Sequence, residues 1–229
     1  LKKYFKLNVF IISIDDFYKT RKDRKILSKT KHALLMTRGV PGTHDINLML
    51  SFFKKIKSKK FKNLEIPKFN KAIDDRYKKN LWYKIKLKPD VLIFEGWCVG
   101  ARAQSSSQLK KPINSLEKVY DQGAVWRTHV NNQLKTGYKT LFKQLDGLLY
   151  LKAKNFNLLR KWRLKQERKL WIQTQNKKNL KIMSSEGVIN FMQTYQRITQ
   201  QMFKDALKSS SIIMNLNSNH QIEKIRFKK

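Results

Sequence analysis

Asn8-Val-Phe-Ile-Ile-Ser-Ile14, followed by Asp15-Asp16-Phe17-Tyr18, is the stretch whose reading decides the fold. A continuous apolar, β-branched run of strand length predicts a strand buried on both faces, the signature of a parallel sheet. Asp90-Val-Leu-Ile-Phe-Glu95, then Gly96, repeats the pattern: a buried strand that ends in a carboxylate. Gly147 to Leu151 and Ser211 to Leu216 predict two further strands. Between them lie helical patterns. Asp45 to Lys60 places Ile46, Met49, Leu50, Phe53 and Ile56 at helical spacing, with Asp45 at the capping position. Gly123 to Leu145 places Val130, Leu134, Tyr138 and Leu141 on one face. Asn155 to Gln173 is a basic helix, and a helix from Ser184 buries Val188, Phe191, Tyr195, Ile198 and Met202. Glu65 to Asn70 is extended around Pro67. Strands alternating with helices predict an α/β domain with a mainly parallel sheet. With no repeat and no linker, one domain over 1–229 is expected.

Composition bounds the function. The 229 residues are 41% hydrophobic and 11% aromatic, enough apolar material for a core and too much for a disordered basic tail. A single cysteine, Cys98, excludes an internal disulfide and any CxxC zinc site, which suits a reducing, cytoplasmic compartment. No apolar run is long enough to span a bilayer, and no signal-peptide pattern is present. The formal net charge of +35 invites a nucleic-acid reading. Most of the 51 basic residues are lysines spread along a chain also rich in Asn, Ile and Phe, which reads as compositional drift. The Lys54 to Lys62 and Gln175 to Lys181 runs read as solvated surface.

Four constellations hold chemistry. In open α/β sheets, ligands bind beyond the carboxyl ends of the strands. Two predicted strands end there in acids, Asp15-Asp16 and Glu95. Such carboxylates accept a proton from a nucleophile or hold magnesium through water; alternatively they cap the next helix or form salt bridges. Arg38-Gly-Val-Pro-Gly-Thr-His44-Asp45 combines turn chemistry with Arg38 and His44, which suit an anion near a helix N-terminus. Pro67 to Arg76 (PKFNKAIDDR) mixes charges; Arg76 fits a carboxylate bidentately, or pairs with Asp74 or Asp75. Arg160, Arg163 and Arg168 sit on one helix, suited to clamping nucleotide phosphates, or simply solvated.

Taken together, SIDDFYKT (Ser13 to Thr20), RGVPGTHD (Arg38 to Asp45), PKFNKAIDDR, VLIFEGWCVGAR (Val91 to Arg102) and WRLKQE (Trp162 to Glu167) resemble the D-glycerate 3-kinase family of P-loop kinases, relatives of uridine kinase, pantothenate kinase and phosphoribulokinase. Asn114-Ser-Leu-Glu117, Trp126-Arg127 and Val130-Asn131 are lesser matches. The segments occur in the family's order. The resemblance implies an α/β, P-loop kinase-like three-layer sandwich with a mainly parallel sheet. It implies phosphoryl transfer from ATP, with Mg2+, to a hydroxyl of a small substrate, D-glycerate first. It makes Asp15 the acceptor of the substrate's hydroxyl proton, with Asp16 the lesser candidate, and gives Glu95 and Asp15 the magnesium environment through water. It places Arg160 and Arg163 in a lid, and Arg38, His44, Arg76 and Arg102 on the substrate side.

One family element is absent. The phosphate loop GxxxxGK[ST] cradles phosphates with backbone N–H groups and a Lys. None of the eight glycines is followed by Lys-Ser or Lys-Thr. In the family this loop precedes the SxDDFY strand, where here only Leu1 to Asn8 stand. The expectation is therefore a domain incomplete at the N-terminus, lacking the first strand and phosphate loop, and inactive or weak as this chain. The alternative is a non-catalytic basic nucleic-acid-binding protein on the same scaffold, but nucleic acid is not the expected partner, because such binding needs neither Asp15, Glu95 nor RGVPGTHD.

Overall fold

The computed structural model describes residues 1–174 and 183–228. In chain order the elements are α1 (Lys2–Phe5), β1 (Val9–Ser13), a 3-10 turn (Ile14–Phe17), α2 (Arg21–Thr30), α3 (Ile46–Ile56), β2 (Leu64–Ile66), β3 (Phe69–Asn70), β4 (Asp75–Arg76), β5 (Tyr83–Ile85) and β6 (Val91–Glu95). Then come α4 (Ser106–Leu109), α5 (Ser115–Tyr120), α6 (Val125–Gln133), a π-helical turn (Leu134–Tyr138), α7 (Lys139–Phe142), β7 (Leu149–Ala153), α8 (Phe156–Thr174), α9 (Ser185–Ser209), β8 (Ile212–Leu216) and β9 (Ile222–Phe227). Contacts divide the chain into two compact units: Leu1–Val99 with Val125–Gln144, and Gly100–Ala124 with Leu145–Lys229. The Gln175 to Lys181 run lies outside the described residues.

In the first unit, β1 and β6 pair in parallel, from Val9 opposite Val91 to Ser13 opposite Glu95. The expected strand thus ends one residue early, because Ile14 already belongs to the 3-10 turn. Phe94 meets Phe53 of α3 edge-on, with ring centroids 5.2 Å apart, so α3 covers the Phe94 face of the pair. The other face does not match the expectation of burial on both sides. Ile11 and Ile93, opposite each other in register, are 64% and 39% exposed, because within this unit α3 packs on one face only. Asp45 caps α3 as expected: its Oδ1 accepts the Leu48 N–H at 3.1 Å. The predicted Gly123 to Leu145 helix is real but interrupted by the π turn, which carries Gly137 against Ile46 at the start of α3. A Cβ on Gly137 would lie 2.8 Å from Ile46 Cγ2.

In the second unit, β8 is central, parallel to β7 and antiparallel to β9. The strand predicted at Gly147 to Leu151 forms two residues later, at Leu149–Ala153. The α9 stripe forms as predicted, with Val188, Ile198 and Met202 buried and Phe191 edge-on to Tyr195 at 4.9 Å. Arg197, on the same helix, is only 7% exposed. Its Nε and one terminal nitrogen bind both oxygens of the fully buried Glu117 at 2.7 and 2.6 Å. Its remaining protons go to the carbonyls of Gln108 (2.9 Å) and Lys111 (2.8 Å). Glu117 Oε2 also accepts the Ile113 N–H at 3.0 Å. One ion pair therefore ties α5 and the Gln108–Lys111 backbone to α9. No helix among the described residues is long and apolar enough to cross a membrane.

Removing one partner of such a pair strands a buried charge, at a cost of about 3–5 kcal/mol. Glu117→Ala should lose about that much in urea unfolding. The double variant Glu117→Leu with Arg197→Met should be more stable than Glu117→Ala alone.

Candidate functional site

The β1–β6 register sets the site. Ser13 opposite Glu95 brings the ends of both strands to one edge, and the 3-10 turn places Asp15 and Asp16 just beyond it. Ser13 Oγ accepts the Asp15 N–H at 3.3 Å and so starts the turn. Gly96 must be glycine: a Cβ there would lie 2.2 Å from Ile14 Cγ2. The FEG end of one strand and the SID end of the other therefore pack directly on each other.

Three carboxylates gather at this edge in distinct environments. Asp15 Oδ2 meets the Lys71 ammonium at 2.8 Å. Asp16 Oδ1 accepts the Phe69 N–H at 3.1 Å. Burial pushes the Asp16 carboxyl above its ordinary range, with the charges of Asp15 and Glu95 adding to the rise; the Phe69 N–H and Lys71 oppose it. Glu95 is exposed. Among the described residues, no group of three or more His, Cys, Asp or Glu is placed to enclose a metal ion. The donor set is hard oxygen on open carboxylates, which fits Mg2+ held through its own waters rather than by a protein cage.

Phe69 is the hub of the basic side. Its ring lies edge-on to Tyr18 at 5.2 Å and under the guanidinium groups of Arg38 (5.4 Å) and Arg24 (5.9 Å). Arg38 pairs with Asp74. Arg24 is completely buried and reaches the carbonyls of Lys19, Met36 and Asp74, and the Asp74 carboxylate. Asp74 sits in the left-handed region at φ 56°, held there from two sides. Arg76 takes neither Asp74 nor Asp75 as its side-chain partner. It donates to the Tyr18 carbonyl at 2.8 Å and meets Asp45 Oδ2 at 3.4 Å.

The RGVPGTHD loop is stitched to the acidic turn through its backbone. Lys19 N–H donates to the Thr43 carbonyl and Asp45 N–H to the Phe17 carbonyl, both at 2.8 Å. The buried Thr43 hydroxyl closes the loop on itself, donating to the Val40 carbonyl at 2.7 Å and accepting the Gly39 N–H at 3.1 Å. Trp97 Nε1 donates to the Gly39 carbonyl at 3.1 Å. Gly42, at φ 104°, has the left-handed backbone that favours glycine. His44 is 1% exposed and stacks on Tyr18, with ring centroids 4.4 Å apart. Burial holds its pKa down to about 3, against the opposing pull of Asp15, so His44 is neutral at ordinary pH.

The first unit thus collects Asp15, Asp16, Arg38, His44, Arg76 and Glu95. Arg102, Arg160 and Arg163 belong to the second unit. There Arg102 is exposed. Arg163 pairs with Glu167, donates to Gln166 at 2.7 Å and lies over the Phe191 ring at 5.8 Å. Arg160 is half-buried. Sequence reasoning assigned no role to Arg24, Lys71 or Tyr138. Lys71 stands inside a quoted motif. Arg24 has one signal, the Thr20-x-x-Asp23 cap that starts its helix; the Thr20 hydroxyl accepts the Asp23 N–H at 3.1 Å.

A buried neutral histidine makes stability depend on pH with a definite sign. Above its ordinary pKa near 6.5, the folded and unfolded chains hold the same number of protons on His44. As pH falls toward about 3, only the unfolded chain gains one. Stability should therefore be lost across that window by up to about 1.4 kcal/mol per pH unit from this residue. His129, also lowered by burial, acts in the same direction. Urea midpoints between these pH values should fall in the native protein and fall less steeply in His44→Gln.

No protein-family model matches the sequence. Individual proteins do. The kinase mug58 of Schizosaccharomyces pombe is 30% identical over 216 residues, covering 91% of this chain and 74% of that protein. The chloroplastic D-glycerate 3-kinase of Arabidopsis thaliana is 27% identical over 164 residues, covering 68% of this chain and 34% of that protein. The structure of D-glycerate 3-kinase from Cryptococcus neoformans superposes with a TM-score of 0.82 at 24% identity, over 99% of this chain and 82% of that one. This likeness gives the α/β P-loop kinase fold. From the RGVPGTHD, SIDDFY and FEGW motifs to the superposition, the chain belongs to the D-glycerate 3-kinase family.

Proposed function

We propose that this protein is an ATP-dependent kinase that phosphorylates a hydroxyl of D-glycerate. The observation that carries the reading is the pairing of Ser13 with Glu95, which sets Asp15, Asp16 and Glu95 at one strand edge beside the RGVPGTHD loop. The names of the relatives add to it: two are kinases and one of these is a D-glycerate 3-kinase.

Phosphoryl transfer needs positioning and charge stabilisation more than covalent chemistry from the protein. Asp15 is the general base. Its carboxylate accepts the proton of the acceptor hydroxyl as that oxygen attacks the γ-phosphorus of ATP, and ADP leaves. Lys71 holds Asp15 in place through their ion pair. Arg38 and Arg76 offer planar donors for the glycerate carboxylate, and both are pre-aligned by carboxylate partners, Asp74 and Asp45. Mg2+, when bound, neutralises charge on the phosphates; Glu95 and Asp15 would hold it through water. Arg102, Arg160 and Arg163 are the second unit's candidates for anion contacts.

The test is coupled ADP release by the protein at high MgATP with D-glycerate. Glycerate-dependent turnover supports the reading, and its absence with an ATPase or another acceptor active in its place overturns it. Asp15→Asn should lower kcat by about 10²–10⁴-fold with little change in fold. The 229 residues contain no GxxxxGK[ST] loop. Calorimetry should find their MgATP affinity weaker than micromolar.

A further inference from the structure

The His44–Tyr138 contact has a chemical consequence that the proton count fixes. Tyr138 is fully buried in the π turn. Its hydroxyl oxygen lies 3.1 Å from the Gly42 N–H and 2.6 Å from His44 Nδ1. A backbone N–H only donates, so the phenol oxygen accepts from Gly42. The phenol keeps its own proton, because burial pushes its pKa far up. Among the described residues, the acceptor within reach of that proton is His44 Nδ1. Tyr138 therefore donates to Nδ1, and the proton of the neutral imidazole must sit on Nε2.

Nε2 is then a buried donor. It has no hydrogen-bond partner among the described residues. Leaving such a group unpaired is costly, of order 1–3 kcal/mol. The ring is not free to turn and relieve this: Tyr18 stacks on its face at an interplanar angle of 17°, and Tyr138 abuts its edge at 71°. An isolated antiparallel bridge pairs His44 with Tyr18, which caps the turn that carries Asp15 and Asp16. A fixed, neutral N–H on the residue bridged to that turn is suited to an oxygen of the acceptor substrate. It adds no positive charge that would compete with Asp15 for the proton.

We propose that Tyr138 is a positioning residue that fixes His44 as the Nε2–H tautomer, and that this N–H donates a hydrogen bond to an oxygen of the phosphoryl acceptor, a small hydroxylated acid. The proposal rests on the kinase reading for the identity of the ligand, but not for the tautomer.

The experiment is 15N NMR of the histidine-labelled protein, with and without acceptor. Two-bond proton–nitrogen correlations distinguish the tautomers without any turnover. His44 should appear as the neutral Nε2–H form, and D-glycerate should shift its Nε2–H resonance. An Nδ1–H signal in the native protein overturns the positioning role. If the tautomer is as stated but D-glycerate leaves Nε2 unmoved, pantothenate and uridine are added next. A shift with one of these supports the donor role and overturns D-glycerate as the acceptor. No shift with any of them overturns the donor role itself. Kinetics give a second reading. Tyr138→Phe should raise KM for the acceptor about tenfold or more and leave KM for ATP unchanged. His44→Gln, which keeps a donor, should retain more acceptor affinity than His44→Phe. Equal loss in the two His44 variants would overturn the proposal.

Discussion

The parallel register of β1 against β6 is the constraint on which the acidic site depends. A one-residue slip would turn every side chain of β1 to the other face and move Asp15 and Asp16 along the edge away from Glu95. Two features hold the register. The Phe94 face packs under α3, and Gly96 accepts Ile14 at a distance no other residue would allow. The FEG glycine is thus a packing requirement that serves the chemistry indirectly. It lets the strand end in an acid while the neighbouring strand turns across it.

A second constraint works from the loops. Asp74 receives both Arg24 and Arg38, so a buried cation and the proposed substrate-side arginine share a carboxylate. Arg24 would be an uncompensated interior charge without it. Its three carbonyl contacts and one carboxylate are the kind of complete hydrogen-bonding that makes a buried guanidinium tolerable. The same carboxylate keeps Arg38 over the Phe69 ring. One residue therefore satisfies the buried Arg24 and orients Arg38, and its left-handed backbone is part of the arrangement.

Much of this was legible in the sequence, and the omissions have physical causes. The buried strands, α3 with its cap, and the α9 stripe were readable because apolar periodicity is local information. The acids of SIDDFY and FEGW were readable because carboxylates that end buried strands are conspicuous. Helix α2 was missed because its buried residue is Arg24, which a periodicity count scores as polar. Strand β9 was missed because all six of its residues are exposed and its place follows from pairing with β8. Tyr138 was read as one more member of an apolar stripe, which describes its ring. Its hydroxyl answers to Gly42 and His44, more than ninety residues away in the chain, and no local pattern encodes that. The neutral state of His44 is likewise set by burial and not by its neighbours in sequence.

The basic composition also divides once the structure is known, and it divides by residue type. Arg24, Arg127 and Arg197 are buried, and Arg38, Arg76 and Arg163 are each held by a carboxylate. The lysine pairs with acids, Lys71 with Asp15 and Lys79 with Glu65, are made by side chains that remain 64% and 74% exposed. A planar guanidinium spends five donors in fixed directions and so can be satisfied inside a protein; an ammonium is strongly hydrated and stays at the surface. Six of the eleven arginines are thus buried or held by carboxylates, while the lysines supply most of the +35. A nucleic-acid surface would need its charge gathered on one face. Among the described residues, the arginines Arg24, Arg38, Arg76, Arg163 and Arg197 are committed to carboxylates or carbonyls of the chain itself.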